Sequence, residues 1–509
     1  MSKLKKNIEV IGESGLFAFD VGIILELFAL VSSIDRASKR EKSIADFVVQ
    51  MAILCGHDWE RDPTNNVVVY LQPVDEKFET ICLQAHLDMV AVGQDGQDFD
   101  TSEIEFIIKD GELWANNTSL GADNGIGLAI MLSLMSGYDG NFERPIELLF
   151  TSDEETGFNG ANAVDPSWIS ARKMINLDSE KTGKIVVGCA GGACWQIKLP
   201  NVKQKLNYTE DFTQITLKVS GLAGGHSGVD IHENSGNAIF LMAEMASSLM
   251  EQFPEFKLIS INGGAKMNII PQECEAVLIV SDKDFDSWIL FEQAFACQVE
   301  ILKETLIDEP GCKFTIENKI ISITRSCLDN QFSADLFEAI AQIPKGVISR
   351  DPADSKYLQT SNNIGVIKTT EEGVEIVLLY RSSLLEDLNS LRVAVTSIFS
   401  EGAFLTFANA DLKILAEFDP WEPKRDSLLV KMAINAFVNE FEYEPELVVS
   451  HGGLEPGCFE KKWPGLEAIS IGPTIEKPHS QEERVDIEGI SSIMNILAGI
   501  LSISSSDFQ

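Results

Sequence analysis

Three largely apolar runs before residue 181 each end in an acid or a histidine. ICLQAHLD stops at His86 and Asp88, IELLFTSDEE at Asp153, Glu154 and Glu155, and MINLDSE at Asp178. Short runs of this kind read as strands, and strands alternating with helical patterns make an α/β domain with a largely parallel sheet. The helical patterns are present, at residues 16 to 31, at 43 to 55 and at GIGLAIMLSLM; NVVVYLQ supplies a further strand. In open α/β sheets ligands bind outside the carboxyl ends of the strands, which is where these acids and histidines fall.

The pattern changes after about residue 191. Longer strands of alternating character (TQITLKVSG, EAVLIVSD, VEIVLLYRS) are separated by the amphipathic stretches NAIFLMAEMASSLMEQF and WILFEQAFACQVEILKETL. That is an α+β segment with antiparallel sheet. From residue 408 the first pattern returns, with a helix at LLVKMAINAFVNEF, strands at ELVVS and LEAISIG, and a final apolar helix. One α/β domain, residues 1–191 and 408–509, is therefore expected to be discontinuous, with residues 192–407 inserted into it. A chain of 509 residues calls for at least two domains in any case. The insert is long enough to hold two similar halves.

Charge excludes two classes of partner. The formal net charge is −38, from 78 Asp and Glu against 40 Lys and Arg. Nucleic acid and anionic membrane both need basic surface, so neither is expected. The nine cysteines lack pairing or zinc-knuckle spacing and read as reduced structural thiols of a cytoplasmic protein. At the N-terminus, Asp20 and Glu26 interrupt the apolar stretch, which reads as an amphipathic helix and not as a signal peptide or membrane span.

The acids and histidines point to a metal centre. On an extended backbone residues i and i+2 share a side, so Asp88 can reach one imidazole nitrogen of His86 while the other binds a cation. SLGADNGIG puts Asp123 between a Gly-rich turn and a helix start; taken alone, that is also an N-cap. Adjacent carboxylates such as Glu154 and Glu155 repel unless a cation or proton relieves them, although a solvated acidic loop reads equally well in isolation. SIGPTIEKPHS brings in His479 after another strand. Two histidines and several carboxylates, without cysteine, suit zinc, or manganese or cobalt. Of the six histidines, His57 and His232 read as structural.

In their order and over residues 15 to 500, the motifs LQAHLDMV, LGADNGIG, the double Glu before a Gly, NLDSE, GCAGG, GGHSG, SHGGLEPG and IGPTIEKPHS resemble the carnosinase-like co-catalytic zinc metallopeptidases, in particular the aminoacyl-histidine (Xaa-His) dipeptidase branch. The resemblance implies two zinc ions per chain. His86 and Asp178 would hold one, Glu155 and His479 the other, and Asp123 would bridge them. Asp88 would orient His86, and Glu154 would be the general base acting on a water between the metals. Residues 1–191 and 408–509 would form the catalytic domain, and 192–407 the lid. The lid's His226 would polarise the scissile carbonyl, while Asn268 and Arg381 would grip the substrate carboxylate. His451 and Glu455 lie in a loop that faces the substrate in such enzymes.

The implied reaction is hydrolysis of small Xaa-His, carnosine-like dipeptides. An N-acyl amino acid hydrolase or a tripeptidase on the same scaffold is the alternative, and a metal-free binding protein is the rival of another class. Two departures from the family stand out. SSIDRASKREK replaces an Ile-Pro turn and is expected to affect only the first helices. The lid is about twice the size found in the family's shorter members, where a partner subunit delivers the lid histidine. A doubled lid would let His226 act in cis, and the sequence leaves a homodimer open.

Overall fold

The computed structural model describes residues 3–14, 19–72, 78–137, 144–201, 204–205, 212–233, 236–281, 288–306, 309–321, 326–399 and 404–503. The chain forms two compact units, one of Met1–Cys189, Trp421–Val449 and Leu454–Gln509, the other of Ala190–Pro420 and Ser450–Gly453.

The first unit is built on an eight-stranded mixed sheet. Its four central strands, Ile146–Thr151, Ile81–His86, Lys173–Asn176 and Glu467–Ser470, lie side by side and parallel. Antiparallel strands extend it on both sides, Val67–Leu71 next to Ile146–Thr151 and Lys184–Cys189 next to Glu467–Ser470. Side chains of a strand alternate between faces, and this sequence is apolar on both. Leu83, Leu148, Phe150, Ile175 and Ile469 enter one core, which also takes the helices Phe19–Val31, Ala122–Met135 and Ile487–Ser502. Their neighbours Cys82, Leu149, Met174 and Ala468 enter a second core with Trp421, Phe459 and Trp463. Every residue of Ala122–Met135 except Asp123 is buried, as expected for a helix apolar all round. The helix expected over residues 16 to 31 is described as Phe19–Val31, its first residues lying outside the described range. Among the described residues no helix is long and apolar enough to cross a membrane.

The second unit carries a nine-stranded sheet whose described pairings are all antiparallel. It contains the same strand-helix-strand-strand-helix-strand pattern twice. One copy runs Phe212–Ser220, Ala238–Gln252, Lys257–Gly264, Cys274–Ser281, Trp288–Glu304, Lys313–Ile321. The other begins with Gly191–Pro200 and resumes at Asn330–Gln342, Leu358–Thr369, Gly373–Ser382, Leu385–Phe399 and Asp411–Phe418, with the ninth strand, Gly346–Arg350, added beside Leu358–Thr369. The first copy is thus nested inside the second. In both, the fourth strand pairs the first, the first pairs the third, and the third pairs the second. The copies meet through their second strands, with Asn262, Gly263 and Gly264 opposite Lys368, Ile367 and Val366. The helices cover one face, onto which Leu217, Leu278, Ile376 and Ile197 project.

This repeat corrects the expected boundary at residue 407. Asp411–Phe418 pairs with Gly191–Pro200 from Asp411 opposite Lys198 to Phe418 opposite Gly192, so it is the last strand of the second copy. It is an edge strand with mostly exposed or half-exposed side chains, and it has too little apolar alternation to be recognised as part of a sheet.

Asn237 joins the two copies. Its side-chain oxygen caps Ala238–Gln252 by accepting from the N–H groups of Ile239 at 3.0 Å and Phe240 at 3.4 Å. Its amide donates to Asn363 Oδ1 at 2.9 Å and to the Ile364 carbonyl at 3.0 Å, on the other copy's second strand. Asn237→Ala removes both functions and should destabilise this unit by about 2 kcal/mol. A lower urea midpoint followed by a fluorescence probe in residues 190–420 is the expected result; an unchanged midpoint would show that the copies are held by apolar packing alone.

Candidate metal centre

Strand register places His86 opposite Thr151 and Gln84 opposite Asn176, so three parallel strands of the first unit end together. Asp88, Glu154, Glu155 and Asp178 follow those ends directly. Asp123 reaches the same place from another direction. It stands at the start of Ala122–Met135 with non-helical φ −82° and ψ 110°, after Gly121 at φ 70°. His479 sits at φ 59° in the turn between the short strands Ile475–Glu476 and Arg484–Asp486.

These residues converge. His86 Nε2 lies 3.0 Å from Asp123 Oδ1 and 3.3 Å from Asp178 Oδ1. His479 Nε2 lies 3.1 Å from Asp123 Oδ2 and 2.9 Å from Glu155 Oε1. Asp123 therefore gives one oxygen to each imidazole. Two groups able to hold a cation result, His86–Asp123–Asp178 and Asp123–Glu155–His479, each with its atoms within 4.8 Å of one another. Glu154 forms a further such group with His86 and Glu155. The His86 side chain is 1% exposed and that of His479 46%, so the pair has a buried end and an open end.

Burial drives the electrostatics. It pushes Asp178 up to about 7, with Asp123 and Glu155 adding repulsion that His86 only partly offsets. Glu154 is raised well above the carboxylate range, by burial and then by Glu155, Asp178 and Glu455 against the attraction of His86. Asp123 is the exception: burial opposes its charge, yet hydrogen bonds to His479 and His86 hold it far below the usual range. Burial would lower His479 as well, but Asp123 and Glu155 outweigh it and bring it to about 12. Crowded buried carboxylates of this kind are relieved by cations. The oxygen and nitrogen donors, without thiolate, fit zinc, cobalt or manganese.

Surrounding groups hold the donors. His86 Nδ1 is 3.1 Å from the main-chain carbonyl of Asp88 and 3.5 Å from its carboxylate, so the carbonyl is the nearer acceptor. The Asp88 carboxylate instead accepts from the N–H groups of Glu154 at 3.0 Å and Glu155 at 3.3 Å, and from the Ser38 hydroxyl at 2.8 Å. Asn124 donates to Asp178 at 2.6 Å. Asp153 is spent locally on Thr156 and Asn159, at 2.6 and 2.8 Å. His57 meets the Met135 carbonyl at 2.9 Å, a structural contact.

One expectation needs correction. SSIDRASKREK does not act on the first helices alone, because its Ser38 holds Asp88 and its Arg36 donates to the Asp88 carbonyl at 2.9 Å. Glu455 lies against the strands that carry the ligands. Strand alternation puts Gln84, Thr151 and Asn176 on one face, and Glu455 is wholly buried against them. It accepts from Gln84 and, at 2.8 Å, from Thr151, and burial raises it to about 8. Gln84 in turn accepts from Asn176 at 2.7 Å. Glu455 therefore pins the ends of the three ligand-bearing strands.

The second unit gathers the remaining candidates. The His226 N–H donates to Asp230 at 2.7 Å, and its Nδ1 accepts from Gly228 at 3.2 Å. A Cβ on Gly228 would lie 3.1 Å from the His226 ring and 3.2 Å from Arg381 Cζ, so both side chains approach this glycine closely. Arg381 pairs across the sheet with Ser361, whose hydroxyl is 2.7 Å from His451 Nε2. The Asn268 carbonyl accepts from the Ser227 N–H at 2.8 Å, next to His226. Burial, then Arg381 and His232, holds His451 down to about 3. The grouping thus holds one cation, Arg381, with the Asp230 carboxylate bound to the His226 N–H.

The sequence reading missed Arg36, Ser38, Glu483, Gln84 and Asn124. Ser38 and Arg36 lie in a segment already marked as unusual, and Glu483 follows His479 by four residues; Gln84 and Asn124 sit inside quoted motifs but offer no ligand chemistry of their own.

Comparison with known proteins accords with this geometry. Residues 82–502 match the model of Peptidase family M20/M25/M40. The chain is 32% identical over 484 residues to the cytosol non-specific dipeptidase of Escherichia coli (strain K12), covering 94% of this chain and 96% of that protein. The crystal structure of aminoacylhistidine dipeptidase from Vibrio alginolyticus superposes with a TM-score of 0.83 at 28% identity, over 94% of this chain and 96% of that one. Aminopeptidase PepT from Bacillus cereus shares the fold, with a TM-score of 0.54 at 17% identity over 95% and 98% of the two chains. The carboxylate and imidazole cluster thus stands in a chain that belongs to Peptidase family M20/M25/M40.

Proposed function

We propose that this protein is a two-zinc dipeptidase acting on small dipeptides with a free C-terminal carboxylate, with a preference for histidine in the second position. The observation that carries the reading is Asp123, whose two oxygens each face a different imidazole. His86 and Asp178 would hold one ion, Glu155 and His479 the other, and Asp123 both. Two divalent cations there, zinc or in its place cobalt or manganese, would supply Lewis acidity to a water and to the scissile carbonyl.

The chain's own residues supply the rest. Among the described residues Glu155 is engaged by His479, whereas the Glu154 carboxylate has no hydrogen-bond partner. That difference supports Glu155 as ligand and Glu154 as the base that takes a proton from water and delivers it to the leaving amine. Asp88 orients His86 and keeps the Glu154–Glu155 loop in place. His226 would stabilise negative charge on the carbonyl oxygen, a contact typically contributing about 3 kcal/mol. Arg381, with Asn268 and His451 beside it, would receive the C-terminal carboxylate as a charge-assisted pair. The name of the Escherichia coli relative and the free cysteines support a cytoplasmic location.

The names of the relatives divide between a non-specific and an aminoacylhistidine dipeptidase. A panel of Xaa-His and other dipeptides, tripeptides and N-acyl amino acids tests the substrate class. Xaa-His dipeptides should give the highest kcat/KM, chelator should abolish turnover and zinc should restore it. Faster hydrolysis of tripeptides or N-acyl amino acids would overturn the reading.

Two substitutions test the roles. Glu154→Gln should abolish turnover while metal content stays at two per chain, whereas Glu155→Gln should lose one ion, both read by elemental analysis; exchanged effects would exchange the roles. Arg381→Met should raise KM about 30-fold, from a charge-assisted contact of about 2 kcal/mol. An unchanged KM would remove Arg381 from the substrate contacts.

A further inference from the structure

Asp123 is common to both ligand groups, so whatever fixes the turn from Leu120 to Asp123 fixes both at once. That turn leaves the helix without ordinary backbone partners at its start, since the first N–H groups of any helix have none within it. Glu483 supplies them. Its carboxylate accepts from the N–H groups of Leu120 at 2.8 Å, Gly121 at 2.9 Å, Ala122 at 2.8 Å and Asp123 at 3.3 Å.

The carbonyl side of the same turn is held by Arg36. One guanidinium nitrogen donates to the Gly121 carbonyl; the other donates to the carbonyls of Asp88 at 2.9 Å and Leu87 at 3.3 Å. Arg36 is 0% exposed and Glu483 2%. The Gly121 peptide is thus held by a buried cation at its oxygen and a buried anion at its nitrogen. The guanidinium's planar fork also ties this turn to the loop that follows His86. A side chain at Gly121 would strike Met89 and Arg36, its Cβ falling 2.5 and 2.6 Å from them, so the grip is closed.

We propose that Arg36 and Glu483 are positioning residues for the metal pair, setting the place of Asp123 relative to His86 through the Gly121 peptide. The proposal rests on the two-metal reading above. Its specific consequence is that loosening the grip weakens both metal positions together, because the residue displaced is the one they share. Loss of an outer group around a metal ligand typically costs about 10- to 100-fold in affinity.

The test is zinc titration of the full chain against a competing chelator, for the unsubstituted protein, Arg36→Lys, Glu483→Gln and Arg144→Lys. Arg36→Lys keeps the charge and loses the fork; Glu483→Gln keeps the size and loses half of the accepting capacity. Arg144 is a buried arginine that caps the last helix through the Leu501 and Ile503 carbonyls, and it serves as a control for stability alone. Both Arg36→Lys and Glu483→Gln should weaken two zinc sites by at least about tenfold, in parallel, while Arg144→Lys lowers only the melting temperature of the metal-free protein. If Arg36→Lys does not fold, Glu483→Gln carries the same test. Failure of the unsubstituted chain to bind two zinc ions would overturn the underlying reading. Two tight sites that remain tight in the folded variants would overturn the positioning roles alone, as would weakening confined to one site.

Discussion

The contact of one carboxylate with two imidazoles governs the first unit. Asp123 can serve both His86 and His479 only if its backbone leaves helical geometry just where Ala122–Met135 begins. Around it lie Glu154, Glu155 and Asp178, which burial and mutual repulsion push toward the neutral form. So many acids in a low-dielectric place call for cations or protons to offset them, because desolvation of each charge otherwise costs several kcal/mol. The rest of the unit follows from that demand: three adjacent parallel strands, an apolar helix behind them, and buried polar groups that stop each donor from turning away.

Those supporting groups act by joining elements. Asp88 joins the His86 loop to the backbone of Glu154 and Glu155. Glu455 joins the strands that precede His86, Glu154 and Asp178 through Gln84, Thr151 and Asn176. Each is a buried polar network in which one missing partner would leave another group unsatisfied, so the members keep one another in a single arrangement. The second unit solves a different problem. Its two nested copies share a sheet through their second strands, so each buries an edge that would otherwise expose unpaired backbone groups.

Much of this is readable along the chain because strand periodicity and ligand chemistry are local. The apolar runs before His86, Glu154 and Asp178 are strands that end at one edge, and the expected α/β and α+β segments are present. The boundary at residue 407 failed because Asp411–Phe418 is an edge strand with a polar, weakly patterned surface. Glu455 stands in a glycine-rich loop whose sequence gives no sign that its carboxylate is wholly buried. SSIDRASKREK was expected to affect only the first helices because nothing near residue 36 in sequence needs a guanidinium; the acceptors of Arg36 are the carbonyls of residues 87, 88 and 121.

The sequence by itself determined which side chains can bind a cation and on which strand ends they stand, since a two-residue repeat and a donor atom are properties of a few neighbouring residues. The resemblance of its motifs implied a shared Asp123; only the tertiary structure decided that Glu483 and Arg36 hold the turn before it, and that two copies of one pattern are nested in the second unit. Those facts depend on hydrogen bonds and strand pairings between residues up to hundreds of positions apart. No local pattern encodes such pairings, because the chain must first close its loops before the partners exist.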